Sequence, residues 1–145
     1  MEYELNLLNI GKKVFGLMFV TAIIGIASQI LSIPVIAAEE EKWTDQGNYS
    51  TDWYEQHRND LSYTINSSKE LAGLAVLNNR GESFEDKTIK LSDNLNMSGK
   101  VWIPIGTLDY EFDGTFDGNG KTISHLSTTG SGNHQGLFAL NIGTI

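Results

Sequence analysis

The chain has 145 residues, 10 Lys and Arg against 18 Asp and Glu, a formal net charge of −8, and no cysteine. This bounds it to one small domain and argues against a nucleic-acid or anionic-membrane partner, because neutralising phosphate takes Lys and Arg. It also excludes disulfides, thiolate catalysis and cysteine-based zinc sites, so packing alone must hold the fold.

Residues 1–38 read as a targeting segment. Lys12 and Lys13 close a polar start, and no charge follows until Glu39. Val14 to Ile33 is mostly apolar, and Pro34 then leads into Val35-Ile36-Ala37-Ala38. A basic flank, an apolar stretch and small residues before an acidic start make an export signal. Cleavage after Ala37 or Ala38 is the preferred reading. A run of about 20 apolar residues also suffices to span a bilayer, so an uncleaved anchor is the alternative, and the only membrane contact expected is through this segment.

Residues 39–66 form a polar leader with Trp43, Tyr49, Trp53, Tyr54 and Tyr63 interspersed. Asn48, Ser50, Asp52, Asn59 and Asp60 favour turns there over regular structure. The aromatics have two readings: a platform that stacks on sugar rings, with Trp43, Tyr49, Trp53 and Tyr54 as its ligand-binding residues, or a lid packed on the first strands. The lid is preferred, because buried rings dominate small cores. His57 has no partner at metal-ligand spacing.

Residues 67–81 predict a helix. Ser67 and Glu70 match a capping box, Leu71, Leu74 and Ala75 lie on one face, and Gly81 is placed to stop it. Such a helix, directly ahead of stacked strands, would cover their open end.

Residues 82–145 predict β-strand coils. Phe112, Gly114 and Phe116 alternate with Asp113, Thr115 and Asp117, the period of a half-buried strand. Gly118-Asn119-Gly120 supplies a sharp turn, and Lys121 to Leu126 resumes as strand with a slip in its alternation. Pro104 belongs at an edge or turn. Phe84 to Leu91 resembles Phe116 to Ile123, each with Phe, a turn, then Lys-Thr-Ile. The two triplets start at Lys87 and Lys121, 34 positions apart (87 to 121), an internal repeat of the kind that marks stacked coils.

Taken together, Lys87-Thr-Ile-Lys-Leu, Trp102-Ile-Pro-Ile-Gly106, Phe112-Asp-Gly114-Thr-Phe116-Asp-Gly118-Asn-Gly120-Lys-Thr-Ile and Gly136-Leu137-Phe138 resemble bacterial surface proteins that carry GLUG repeats. The resemblance runs from about the Trp43 region to the end. It implies a mainly β fold, the start of a right-handed parallel β-helix of the pectin-lyase type with its capping α-helix, in secreted or wall-attached proteins, often as a non-catalytic stalk. Some such proteins are the N-terminal regions of IgA-cleaving zinc metallopeptidases. Ala139 departs from the pattern where the repeat has its second glycine, and one such motif stands where relatives carry several, which reads as a fragment.

The chemistry is sparse. No HExxH motif occurs, the histidines at 57, 125 and 134 are scattered, and no Gly-x-Ser-x-Gly elbow is present. The strongest chemical candidate is the acidic cluster Asp109, Glu111, Asp113 and Asp117. Asp113 and Asp117, outward on one strand, would stand roughly 13 Å apart, wider than the roughly 5 to 10 Å of a glycosidase pair. Calcium at this cluster is an option if the Tyr110 loop folds back, and a solvated outer face is preferred. No other cofactor is expected. The expected function is an exported, non-catalytic surface scaffold that meets host or cell-wall glycans or proteins. The alternative is the front part of a secreted enzyme, a metallopeptidase or a polysaccharide-degrading one. With no capping element at its end, the last coil is expected to self-associate.

Overall fold

The computed structural model describes residues 39–130 and 132–145; the expected export segment, with Ala37 and Ala38, lies outside the described residues. Two helices and five short strands occur among them: α1 (Asp52–Glu55), β1 (Ser62–Ile65), α2 (Ser68–Asn79), β2 (Thr88–Leu91), β3 (Leu95–Asn96), β4 (Thr115–Asp117) and β5 (Ile123–Ser124). The strands form two sheets, β1-β2-β4 and β3-β5, and every strand pair is parallel. Four further single-residue pairings, also parallel, join Lys42 to Val101, Ile105 to Phe138, Phe112 to Asn141 and Thr115 to Thr144.

Successive passes of the chain therefore return to one ladder. Ser62 is level with Thr88, Thr88 with Thr115 and Thr115 with Thr144. The returns take 26 residues (62 to 88), 27 (88 to 115) and 29 (115 to 144). Tyr63, Ile89 and Phe116 share one level and are all buried, as are Ile65 and Leu91 on the next inward position. Parallel pairing with this inward alternation places like positions over one another.

This register corrects the 34-residue repeat. Ile89 pairs with Phe116, whereas Ile123 pairs with Leu95, in the other sheet. The Lys-Thr-Ile triplets are two uses of one local turn. The Lys87 amide bonds the Phe84 carbonyl at 2.9 Å, with Asp86 left-handed between them, and the Lys121 amide bonds the Gly118 carbonyl at 2.8 Å, with Asn119 and Gly120 left-handed. Similar turn chemistry writes similar sequence at different corners.

The leader is also more regular than its turn-rich composition predicts. It contains α1 and the first ladder strand, β1, whose alternation of exposed Ser62 and Thr64 with buried Tyr63 and Ile65 was readable but short. The helix thus lies between β1 and β2 rather than ahead of all strands. At its start, Ser67 Oγ accepts from the Glu70 amide at 3.3 Å, while the Glu70 carboxylate accepts from the Asn66 amide at 2.8 Å, one residue before the expected partner. At its end, the Glu82 amide bonds the Leu77 carbonyl and the Gly81 amide the Asn78 carbonyl, a Schellman closure that needs the left-handed Gly81.

Helix α2 is not half-exposed as its apolar stripe predicts. Every residue from Leu71 to Asn78 is buried, because the leader covers the side away from the strands. The Ser50 amide bonds the Lys69 carbonyl, and a Cβ built on Gly73 would lie 1.9 Å from the Ser50 carbonyl oxygen. Downstream, the predicted strand over 121–126 contracts to Ile123–Ser124, since His125 turns left-handed and breaks the alternation there. The strand over 112–117 contracts to Thr115–Asp117, although Phe112, Gly114 and Phe116 all remain buried.

The fit around Gly73 sets a test with a definite sign. Gly→Ala inside a helix ordinarily stabilises by roughly 0.5–1 kcal/mol. Gly73→Ala is instead expected to destabilise the protein by about 1–3 kcal/mol, the usual cost of overpacking, in urea melts followed by circular dichroism. A stabilising substitution would show that the leader does not rest on this helix.

Candidate functional site

The four leader aromatics turn inward. Trp43 is buried, its indole N–H donates to the Met97 carbonyl at 3.0 Å, and the Lys100 ammonium sits 5.5 Å from its ring centre. Tyr54 is buried, packs on Phe84 and Tyr63, and its hydroxyl donates to Glu82 at 2.5 Å. Burial, and then the Glu82 carboxylate beside it, push that phenol well above its ordinary range. Trp53 is half-buried, stacks on Phe84 and meets Tyr54 and Tyr63 edge-on, while its N–H donates to the Ser50 carbonyl. Tyr49 is half-buried beneath the Arg80 guanidinium, 5.8 Å away. Two of these rings are thus buried and two half-buried against other parts of the chain.

The motif residues around Trp102 serve the same interior. Trp102 is buried and donates to the Leu137 carbonyl at 3.2 Å. The Pro104 carbonyl accepts from Asn79 Nδ2, and the Gly106 amide donates to Asn79 Oδ1 at 2.8 Å. Gly106 is left-handed, and a Cβ there would lie 2.1 Å from the Leu140 carbonyl oxygen, so the next pass runs directly against it. Gly114 is similarly pressed on Phe84, whereas Gly118 faces open space and Gly120 is left-handed in its turn. Gly136 is left-handed, and Phe138 packs on Phe112 and Phe116.

The structure divides the acidic cluster. Asp113 lies before β4 and accepts from Ser83 Oγ and the Phe84 amide, both at 2.6 Å, tying one pass to the previous one. Asp117 accepts from the Asn119 amide at 2.8 Å and pairs with Lys90 at 3.2 Å. That amide, then Lys90, hold its carboxyl below the ordinary value. The expected outward pair on one strand is therefore two separate ties. Asp109, Glu111 and Asp113 do meet, with Glu82, Tyr110 and Ile142, around a groove of about 220 Å³, from which Asp117 is absent. Among the described residues no three His, Cys, Asp or Glu side chains are arranged to hold a metal ion.

Two further grooves are present, the first of which shares Gly81 and Glu82 with the groove at Tyr110. One, of about 290 Å³, contains both arginines of the chain, Arg58 and Arg80, with Glu55 and Glu82. Arg58 pairs with Glu82 at 2.9 Å. The other, of about 390 Å³, is bounded by Glu41 and Lys100, which pair at 3.3 Å. Hydrogen bonding from Asn48, then from Lys100, holds the Glu41 carboxyl below its ordinary value. His57 is exposed beside Asp60 at 3.6 Å, and no described helix is long and apolar enough to cross a membrane. No protein-family model matches the chain, and no curated protein or solved structure matches it either.

Two outcomes follow from these positions. Trp43→Ala is expected to lower stability by about 3–5 kcal/mol in urea melts, as for a large core side chain, and to leave any glycan-array signal unchanged. Loss of glycan binding with stability intact would restore the sugar platform. For Asp117, a folded value below the ordinary 3.8 contributes stability that is fully present above pH 3.8 and disappears as pH falls through the lowered folded value. The stability difference between wild type and Asp117→Asn should hold constant above about pH 5 and shrink below 3.8. A difference that ignores acid would mean that the carboxylate charge contributes nothing.

Proposed function

We propose that this chain is an exported, non-catalytic scaffold that presents a rigid β surface at the cell exterior. In this reading the passes wind as the first coils of a right-handed parallel β-helix, akin to the GLUG-repeat surface proteins that the sequence resembles. The observation that carries it is the ladder itself: Ser62, Thr88, Thr115 and Thr144 share one level, with only parallel pairing between them. Parallel pairing without hairpins obliges each pass to travel round before pairing again, a condition that a coil stack meets.

The side chains support a structural role. Aromatics and carboxylates with the strongest chemical potential are engaged in packing or in ties between passes. The exterior placement rests on the basic, apolar and small-residue succession of residues 12–38.

An antibody against residues 39–145 tests location and exposure together. Labelling of intact producing cells, or recovery of the protein from the medium, is the expected result. Labelling that requires permeabilised cells would remove the scaffold from the surface and overturn the proposal.

A further inference from the structure

Apolar exposure and unpaired charge coincide at the loop Thr107–Glu111. Large apolar residues left in water are few among the described residues, and Leu108 (83% exposed) and Tyr110 (47%) both belong to this loop. Ile142 (68% exposed) lines the same groove of about 220 Å³ as Tyr110. A cluster of exposed large side chains with a polar rim marks an interaction surface more often than a solvated one.

The loop is held rigidly enough to present that surface. The Thr107 amide bonds the Tyr110 carbonyl at 2.9 Å, and Thr107 Oγ1 accepts from the Tyr110 amide at 3.0 Å. Asn78 Nδ2 reaches from inside to the same Tyr110 carbonyl at 3.0 Å, and the Tyr110 ring rests on Gly81. Asn78 itself is 1% exposed, and its Oδ1 has no hydrogen-bond partner. The buried amide therefore braces the loop from within.

Charge selects the occupant. Glu82 and Asp113 in the groove are already committed, to Tyr54 with Arg58 and to Ser83 with Phe84. Asp109 and Glu111 make no ion pair among the described residues, no Lys or Arg lines the groove, and Arg58 of the adjoining groove is held by Glu82. We propose that this groove docks a basic side chain borne on an extended polypeptide segment of a partner protein. The alkyl stem of the basic residue lies along Tyr110 and Ile142, its charged head meets Asp109 and Glu111, and neighbouring apolar residues of the segment cover Leu108. A long cationic side chain combines those two demands, since its stem is apolar and its head is not. The −8 net charge of the chain adds attraction toward such a partner. The inference rests on the scaffold reading and names the kind of molecule that the scaffold would hold.

The test uses the full 145-residue chain and fluorescein-labelled decapeptides read by anisotropy. A peptide of alternating Lys and Leu is expected to bind about ten-fold tighter than its Glu/Leu counterpart or a Lys/Ser one, because both charge and apolar cover are needed. Tyr110→Ala should weaken it about ten-fold. The pair Asp109→Asn with Glu111→Gln should weaken it about five-fold, and the equally charged change Glu40→Gln with Asp93→Asn less than about two-fold. Circular dichroism of each variant separates lost binding from lost folding. Equal losses from the two charge pairs would mean diffuse attraction, and binding of calcium chloride with no peptide binding would mean a cation site; either overturns the docking site. Neither result touches the surface-labelling experiment, so the scaffold reading fails or stands separately.

Discussion

A column of aromatic rings runs through successive passes of the chain, and the rest of the described structure depends on keeping it dry and in step. Tyr54 packs on Phe84 at 5.3 Å between ring centres, Phe84 on Phe112 at 6.0 Å, and Phe112 on Phe138 at 5.1 Å, with Phe116 beside the last. Each buried ring contributes about 1.5–3 kcal/mol by leaving water. Such a column forms only if the passes pair in parallel at one register. A slip of β2 by one residue would turn Ile89 and Leu91 outward.

The strands are too short to hold that register by backbone ladders alone, the longest having four residues. Side-chain amides complete the work. Asn79 bonds both the Pro104 carbonyl and the Gly106 amide, Asn119 Nδ2 bonds the Leu91 carbonyl, and Asn94 Oδ1 accepts from the Thr122 amide. Asp113 does the same with a charge. Each of these reaches a residue one pass away, so a polar side chain stands in for a ladder bond at a corner where the backbone turns. Where the next pass approaches too closely for any side chain, glycine appears: Gly106 lies against Leu140, and Gly143 against Gly114.

The same economy bears on function. Groups that could do chemistry elsewhere, such as a tyrosine hydroxyl on a glutamate or an aspartate with two donors, are here closed hydrogen-bonding sets. Among the described residues, the loop at Thr107–Glu111 combines an exposed apolar tip with two carboxylates that make no ion pair.

The sequence by itself determined the local structure that local chemistry can dictate. The helix over 68–79 was legible from Ser67, Glu70 and Gly81, because caps act within one turn. The turn at Asn119-Gly120 and the inward set Phe112, Gly114 and Phe116 were legible for the same reason. Only the tertiary structure decided what stacks on what. It set Ile89 on Phe116 and Ile123 on Leu95, although the Lys-Thr-Ile motif made the two isoleucines look equivalent. It also recruited β1 from the leader, buried α2 on all sides, and separated Asp117 from Asp109, Glu111 and Asp113. Pairing between passes joins residues roughly 27 apart through backbone groups that every residue carries, so no residue type announces its partner.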